Sequence, residues 1–63
     1  MLPIAHITAT DGNNEFCAYL YPSGECRIPM DMWADEDPIR YASLEEMLAA
    51  TGSRLVAYTG LEH

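Results

Sequence analysis

The feature that most constrains the fold of this chain is the segment Asp11-Gly12-Asn13-Asn14, which separates two stretches suited to β-strands. Asp, Gly and Asn tolerate positive φ angles, so this segment is typical of a tight turn between antiparallel strands. The stretch before it, Leu2 to Thr10, is rich in Ile, Thr and Ala, and Glu15 to Tyr21 after it contains Phe, Tyr and Leu. The sequence therefore predicts a β-hairpin in the first third of the chain.

This turn also determines which side chains share a face of the hairpin. If Thr10 lies opposite Glu15, one face is wholly apolar, because successive side chains of a strand point to opposite faces. The apolar face then contains Ala5, Ile7, Ala9, Phe16, Ala18 and Leu20, and the other face His6, Thr8, Thr10, Cys17, Tyr19 and Tyr21. We expect another element of the chain to cover the apolar face.

The covering element is predicted to be a helix that begins after Ser43. The segment from Ser43 to Glu46 has the pattern of a capping box, in which the two end side chains bond free backbone N–H groups. Gly52 suits the left-handed residue that often ends a helix. Four residues at helical spacing form an apolar stripe: Leu44, Met47, Leu48 and Thr51. From this stripe we expect Leu44, Met47 and Leu48 to pack against Ile7, Phe16 and Leu20.

The remaining segments predict short elements. Cys26 to Met30 follows a Pro-Ser-Gly-Glu turn and is expected to form a third strand, and Arg54 to Thr59 a final one. Pro29 favours one helical turn over Met30 to Ala34, whereas Pro38 ends any helix at the residue before it. Ile39 to Tyr41 is expected to be a brief extended piece.

The expected fold class is α+β, with a small antiparallel sheet of three to four strands and one main helix packed on one face. A chain of 63 residues allows one domain, which we place at residues 1–60. The last three residues, Leu61-Glu62-His63, are interpreted as the remnant of a vector-encoded histidine tag and are excluded from the fold.

The two cysteines, Cys17 and Cys26, are expected to be free thiols. Their hairpin positions are out of register for a disulfide, and nothing else in the sequence indicates secretion, so we expect a cytoplasmic protein. Together with His6 they are candidate metal ligands on the polar face of the hairpin. Their spacing is not that of zinc sites, which cluster as C-x₂₋₄-C or H-x₃₋₅-H. We therefore predict neither a metal nor a cofactor.

Charge excludes several classes of function. The net charge is −7, and residues 1–60 carry nine acids against three arginines and no lysine. Such a chain repels nucleic acid and anionic membranes, so we expect no direct nucleic-acid partner and no membrane association.

No catalytic pattern is evident in the sequence. The three serines fit turns and caps, and the chain is small for a catalytic pocket. The acids do not follow the pattern of a calcium-binding loop. We predict that it is not an enzyme.

An acidic cluster with a neighbouring tryptophan is the candidate functional site. Six carboxylates lie within sixteen residues, and Arg40 is the single base among them. Glu45 and Glu46 are explained by helix capping, whereas three adjacent carboxylates repel one another and contribute nothing to a fold. A tryptophan beside a charge cluster is typical of an interface anchor with a charged rim. The predicted partner-binding residues are Asp31, Trp33, Asp35, Glu36, Asp37, Glu45 and Glu46.

The chain resembles the small phage-encoded inhibitors known as anti-CRISPR proteins. The resemblance covers the whole chain and lies in its length, its charge, the absence of lysine, the run Asp35-Glu36-Asp37 and the small α+β layout. These inhibitors share no common motif, so no individual residue is carried over. The resemblance implies a DNA-mimicking acidic face that occupies a basic, DNA-binding surface of a Cas effector complex, of type I in our interpretation, in the host bacterial cytoplasm.

Two other functions stay open at this point. The first is a small acidic regulatory or antitoxin-like domain that binds a basic protein unrelated to CRISPR. The second is a domain that binds its partner through Tyr19 and Tyr21, in which case the acids provide only solubility. In each case the partner is a protein surface, and we expect a monomer or a weak dimer.

Overall fold

The computed structural model describes residues 2–29 and 38–61, and in these ranges it contains five strands and one helix. In chain order the elements are β1 (Ala5–Thr10), β2 (Glu15–Leu20), β3 (Cys26–Ile28), β4 (Ile39–Tyr41), α1 (Leu44–Thr51) and β5 (Arg54–Gly60). All pairings are antiparallel, and the strand order across the sheet is β4-β3-β2-β1-β5. The α+β class is confirmed. No helix in the described ranges has the length and apolar character needed to cross a membrane.

The described residues form five strands, where three to four were expected. The brief extended piece at Ile39–Tyr41 is a full member of the sheet, because it pairs with β3 along its whole length. This pairing joins residues more than ten positions apart, so local sequence pattern does not reveal it. The helical turn expected over residues 30–34 lies outside the described residues.

The first hairpin has the predicted register. Thr10 lies opposite Glu15, Ile7 opposite Ala18 and Ala5 opposite Leu20. In the turn, one carboxylate oxygen of Asp11 accepts hydrogen bonds from the backbone N–H groups of Asn13 and Asn14, both at 2.8 Å. Gly12 adopts a φ of 100°, which residues with a side chain rarely adopt. The turn residues therefore set the register, as the sequence predicts.

Helix α1 begins and ends at the predicted caps. The backbone N–H of Glu46 donates to Ser43 Oγ at 3.0 Å, and Glu46 Oε2 accepts from the backbone N–H of Ala42 at 3.1 Å. Gly52 ends the helix with a φ of 64°, and the backbone N–H of Ser53 donates to the carbonyl of Leu48 at 2.9 Å. Ser43 therefore forms its half of the capping box, whereas Glu46 bonds the N–H of Ala42 instead of that of Ser43, and the two bonds together define the start of the helix.

The core lies between α1 and one face of the sheet. Met47 is fully buried in a cluster with Ala5, Ile7, Ala18 and Cys26. Around this cluster pack the partly buried side chains of Phe16, Leu20, Ile28, Tyr41, Leu44 and Leu48. The expected helix-on-sheet packing is confirmed, with Met47 at its centre and the two leucines at its margin.

Candidate functional site

The face of the sheet opposite the helix carries a row of side chains that crosses all five strands. Residues paired directly across antiparallel strands share a face, so the registers place one residue of each strand in this row. From β4 to β5 the row is Arg40, Arg27, Tyr19, His6 and Thr59. We call this surface the open face.

Aromatic and cationic groups contact one another on the open face. The rings of His6 and Tyr19 meet edge to face, with their centroids 5.3 Å apart. The guanidinium carbon of Arg27 lies 4.2 Å from the centroid of the Tyr21 ring, which is a cation–π contact. The predicted polar face of the hairpin is therefore present, and its tyrosines are half-buried by these neighbours.

One carboxylate holds two of the three arginines. Glu25 Oε1 accepts from Arg27 Nε at 2.6 Å and lies 3.9 Å from Arg40 Nε. The hydrogen bond from Arg27 lowers the pKa of Glu25 and raises that of Arg27, since it favours the charged form of both groups. We call these three residues the Glu25 cluster. Sequence reasoning did not identify it, although Glu25 and Arg27 are two residues apart and so share a face.

The described members of the predicted site lie at the start of α1. Glu46 bonds the backbone N–H of Ala42 just before the helix, and Glu45 is exposed in the first helical turn, where a negative charge interacts favourably with the helix dipole. The other predicted site residues lie outside the described residues: Asp31, Trp33, Asp35, Glu36 and Asp37. That the seven predicted residues lie close together therefore stays a prediction from the sequence.

Two further carboxylates lie beside the turn that joins β1 to β2. Asp11 and Glu15 are both exposed beside the first turn. The backbone N–H groups of Asn14 and Asn13 bond the Asp11 carboxylate and hold its pKa below the ordinary range. The same two hydrogen bonds stabilise the turn.

The two thiols lie on opposite faces of the sheet, so the candidate site formed by His6, Cys17 and Cys26 on one face is not present. Cys17 lies opposite Thr8 on the open face and is exposed. Cys26 pairs with Leu20 on the helix-covered face and is fully buried. This correction follows from the register of β3, which the hairpin alone does not specify. Both cysteines are free, as predicted.

The burial of Cys26 predicts a large difference in thiol reactivity. Burial raises the pKa of the Cys26 thiol, and the buried sulfur is inaccessible to reagent. With a disulfide reagent at pH 8, we expect Cys17 to react at once and Cys26 about a thousandfold more slowly, because its labelling needs unfolding. The Cys17→Ser variant should lack the fast phase, and denaturant should release two thiols from the wild type. Two fast phases in the native protein would contradict this placement.

Comparison of the chain with protein-family models, with curated proteins and with solved structures finds no match.

Proposed function

We propose that the protein is an inhibitor that binds the basic, DNA-binding surface of a CRISPR–Cas effector complex of type I and blocks target DNA binding. It acts by occupancy and without catalysis, in the cytoplasm of the bacterial host. This proposal rests on the charge of the chain and on the resemblance to anti-CRISPR proteins.

The observation that most supports the proposal is the Glu25 cluster. Two of the three arginines of a chain with a net charge of −7 are engaged by a single glutamate. Among the described residues these are the ion pairs, so none of the exposed carboxylates of Asp11, Glu15 and Glu45 is paired with an arginine. Two of the three positive charges are thereby held together on β3 and β4.

A DNA-binding groove supplies the complementary chemistry. Such grooves are lined with Arg and Lys, because they neutralise phosphates. Carboxylates form charge-assisted hydrogen bonds with the same groups, and these bonds are often bidentate with Arg. We propose that Asp35, Glu36 and Asp37 supply such carboxylates, with Trp33 as an apolar anchor beside them. An inhibitor bound in this way and target DNA exclude each other.

The test is competition between the protein and labelled target DNA for a purified type I effector complex. We expect the wild-type protein to displace the DNA at 50 mM salt and to lose affinity steeply as salt rises, since exposed charges are screened beyond about 8 Å at 0.15 M. The variant Asp35→Asn/Asp37→Asn should associate about tenfold more slowly, because electrostatic steering sets the rate of association. Association rates are measured by biolayer interferometry.

The matched control is Glu15→Gln/Glu62→Gln, which removes the same two charges elsewhere in the chain. If steering depends on where the charges lie, as it does for a local patch, this variant should associate at a rate within about twofold of the wild-type rate at the same salt concentration. Equal effects of both variants would contradict a binding site at the acidic cluster. Simultaneous binding of the protein and DNA to the effector would contradict the inhibitory mechanism itself.

The open face supports a second candidate, a domain that binds its partner through Tyr19 and Tyr21. The specific observation is that this side of the sheet is not covered by α1 and presents two tyrosines, His6 and two arginines. Binding through such a face depends on apolar and aromatic contact and responds weakly to salt. A partner lost with Tyr19→Ser/Tyr21→Ser but retained with Asp35→Asn/Asp37→Asn would favour this second function.

A further inference from the structure

All three arginines of this acidic chain lie on the open face. Arg27 is paired with Tyr19 and with Arg40, and Arg54 is paired with Thr10, so each shares a face with the polar side of the hairpin. The chain contains no lysine. The glutamates in the first turn of α1 belong to the helix that covers the opposite face. The sheet therefore separates the arginines of the protein from the acidic start of the helix.

The Glu25 cluster, which contains two of these arginines, has a net positive charge and more donors than acceptors. Arg27 and Arg40 lie directly opposite each other on β3 and β4, where like charges repel. Glu25 offsets one of the two charges, so the cluster keeps one positive charge. Its carboxylate accepts a hydrogen bond from Arg27 at 2.6 Å, whereas Arg40 Nε, at 3.9 Å, is beyond hydrogen-bond length. Each guanidinium has several N–H donors, so the cluster has room for a second carboxylate.

Arg40 is the accessible arginine of the cluster. Arg27 is fixed between Glu25 and the Tyr21 ring, and its side chain is 28% exposed, against 61% for Arg40. Arg40 also borders a shallow depression of about 340 Å³. The other residues that line this depression are Ser23, Glu25, Tyr41 and Ala42. The depression is therefore large enough for one acidic side chain and has a guanidinium in its wall.

We propose that the Glu25 cluster is a docking site for an acidic segment of a partner protein, one of whose Asp or Glu side chains enters this depression and binds Arg40. The partner carboxylate accepts two parallel hydrogen bonds from the guanidinium, the geometry that Arg favours with carboxylates. It also neutralises the remaining charge of the cluster and reduces the repulsion between Arg27 and Arg40. Such a partner is opposite in charge to a Cas effector, and the inference rests on the open face alone.

The third arginine, Arg54, has different surroundings and provides the matched control. Arg54 lines a separate depression of about 400 Å³ together with Asp11, whose carboxylate balances its charge. Glu15 lies in the same cross-strand row as Arg54, because both are paired with Thr10. An acidic side chain that approached Arg54 would therefore meet two carboxylates. The excess of positive charge on the open face lies at β3 and β4, not at β5.

Fluorescence anisotropy with an acidic peptide tests the proposal. The probe is a fluorescein-labelled octapeptide of alternating glutamate and glycine at 0.15 M NaCl, where charges more than about 8 Å apart are screened. We expect saturable binding that is lost when glutamine replaces the glutamates of the peptide. Arg40→Gln should weaken binding about tenfold, because the charge-assisted hydrogen bonds are lost. Arg54→Gln removes the same charge and should bind within about twofold of wild type. Circular dichroism verifies that each variant is folded.

Three results would overturn the proposal. One is a wild-type protein that does not bind the peptide at 1 mM. Another is an equal loss of binding in Arg40→Gln and Arg54→Gln, which would attribute binding to overall charge. The third is tighter binding of single-stranded oligothymidylate than of the peptide, with the same dependence on Arg40, which would make the ligand a nucleic acid. The variant Asp35→Asn/Asp37→Asn separates this proposal from effector inhibition, since it should bind the peptide at least as tightly as wild type.

Discussion

Replacement of Met47 by alanine is expected to reduce the free energy of unfolding by about 2–5 kcal/mol, the cost of truncating a fully buried large side chain. Met47 is the residue of α1 that is completely buried, and it contacts the cluster of Ala5, Ile7, Ala18 and Cys26. A chain of this size has a total stability of only about 5 kcal/mol, so much of the population should unfold at 37 °C. Urea unfolding followed by circular dichroism measures the change.

Two variants control for the chemistry of this substitution. Met47→Leu keeps the volume of the side chain and should cost less than about 1.5 kcal/mol. Leu55→Ala removes a similar side chain from an exposed position and should change stability by about 0.5 kcal/mol or less. If Met47→Ala is as stable as Leu55→Ala, α1 does not cover the sheet in the way described.

The second large effect is expected from Ala18→Asp, which should prevent folding at neutral pH. Ala18 is fully buried beneath the helix and lies opposite Ile7. A carboxylate at this position would lose its hydration with no partner among these apolar neighbours, and that loss costs several kcal/mol. We expect a far-ultraviolet circular dichroism spectrum of an unfolded chain and rapid proteolysis.

Cys17→Asp is the matched control for this prediction. Position 17 is the preceding residue of the same strand, but its side chain is exposed on the open face. The same carboxylate there stays hydrated, so the variant should fold with nearly wild-type stability. Because strand side chains alternate between faces, the pair of variants tests the register of β2 directly. A folded Ala18→Asp variant, or an unfolded Cys17→Asp variant, would reverse the assignment of the two faces.

The candidate site could be predicted only in part. The roles of Glu45 and Glu46 at the helix start follow from four adjacent residues, and the structure confirms the cap at Ser43, with the Glu46 carboxylate bonded one residue earlier, to Ala42. The Glu25 cluster was missed because its contact with Arg40 needs β3 and β4 to be neighbours, although Glu25 and Arg40 are fifteen positions apart in the sequence. The exposure of β5 was missed for a similar reason, since a strand's place at the edge of a sheet is not encoded in its own residues.

Elements with local causes could be predicted from the amino-acid sequence alone. The turn after Thr10, the register of the first hairpin and both ends of α1 follow from turn residues, alternation and caps, each acting over a few positions. Four features required the three-dimensional structure: the strand order, the pairing of β4, the burial of Cys26 and the exposed edge at β5. These depend on which distant segments meet. Several arrangements satisfy the same local pattern, and the choice among them is made by packing the apolar face of the whole sheet against one short helix.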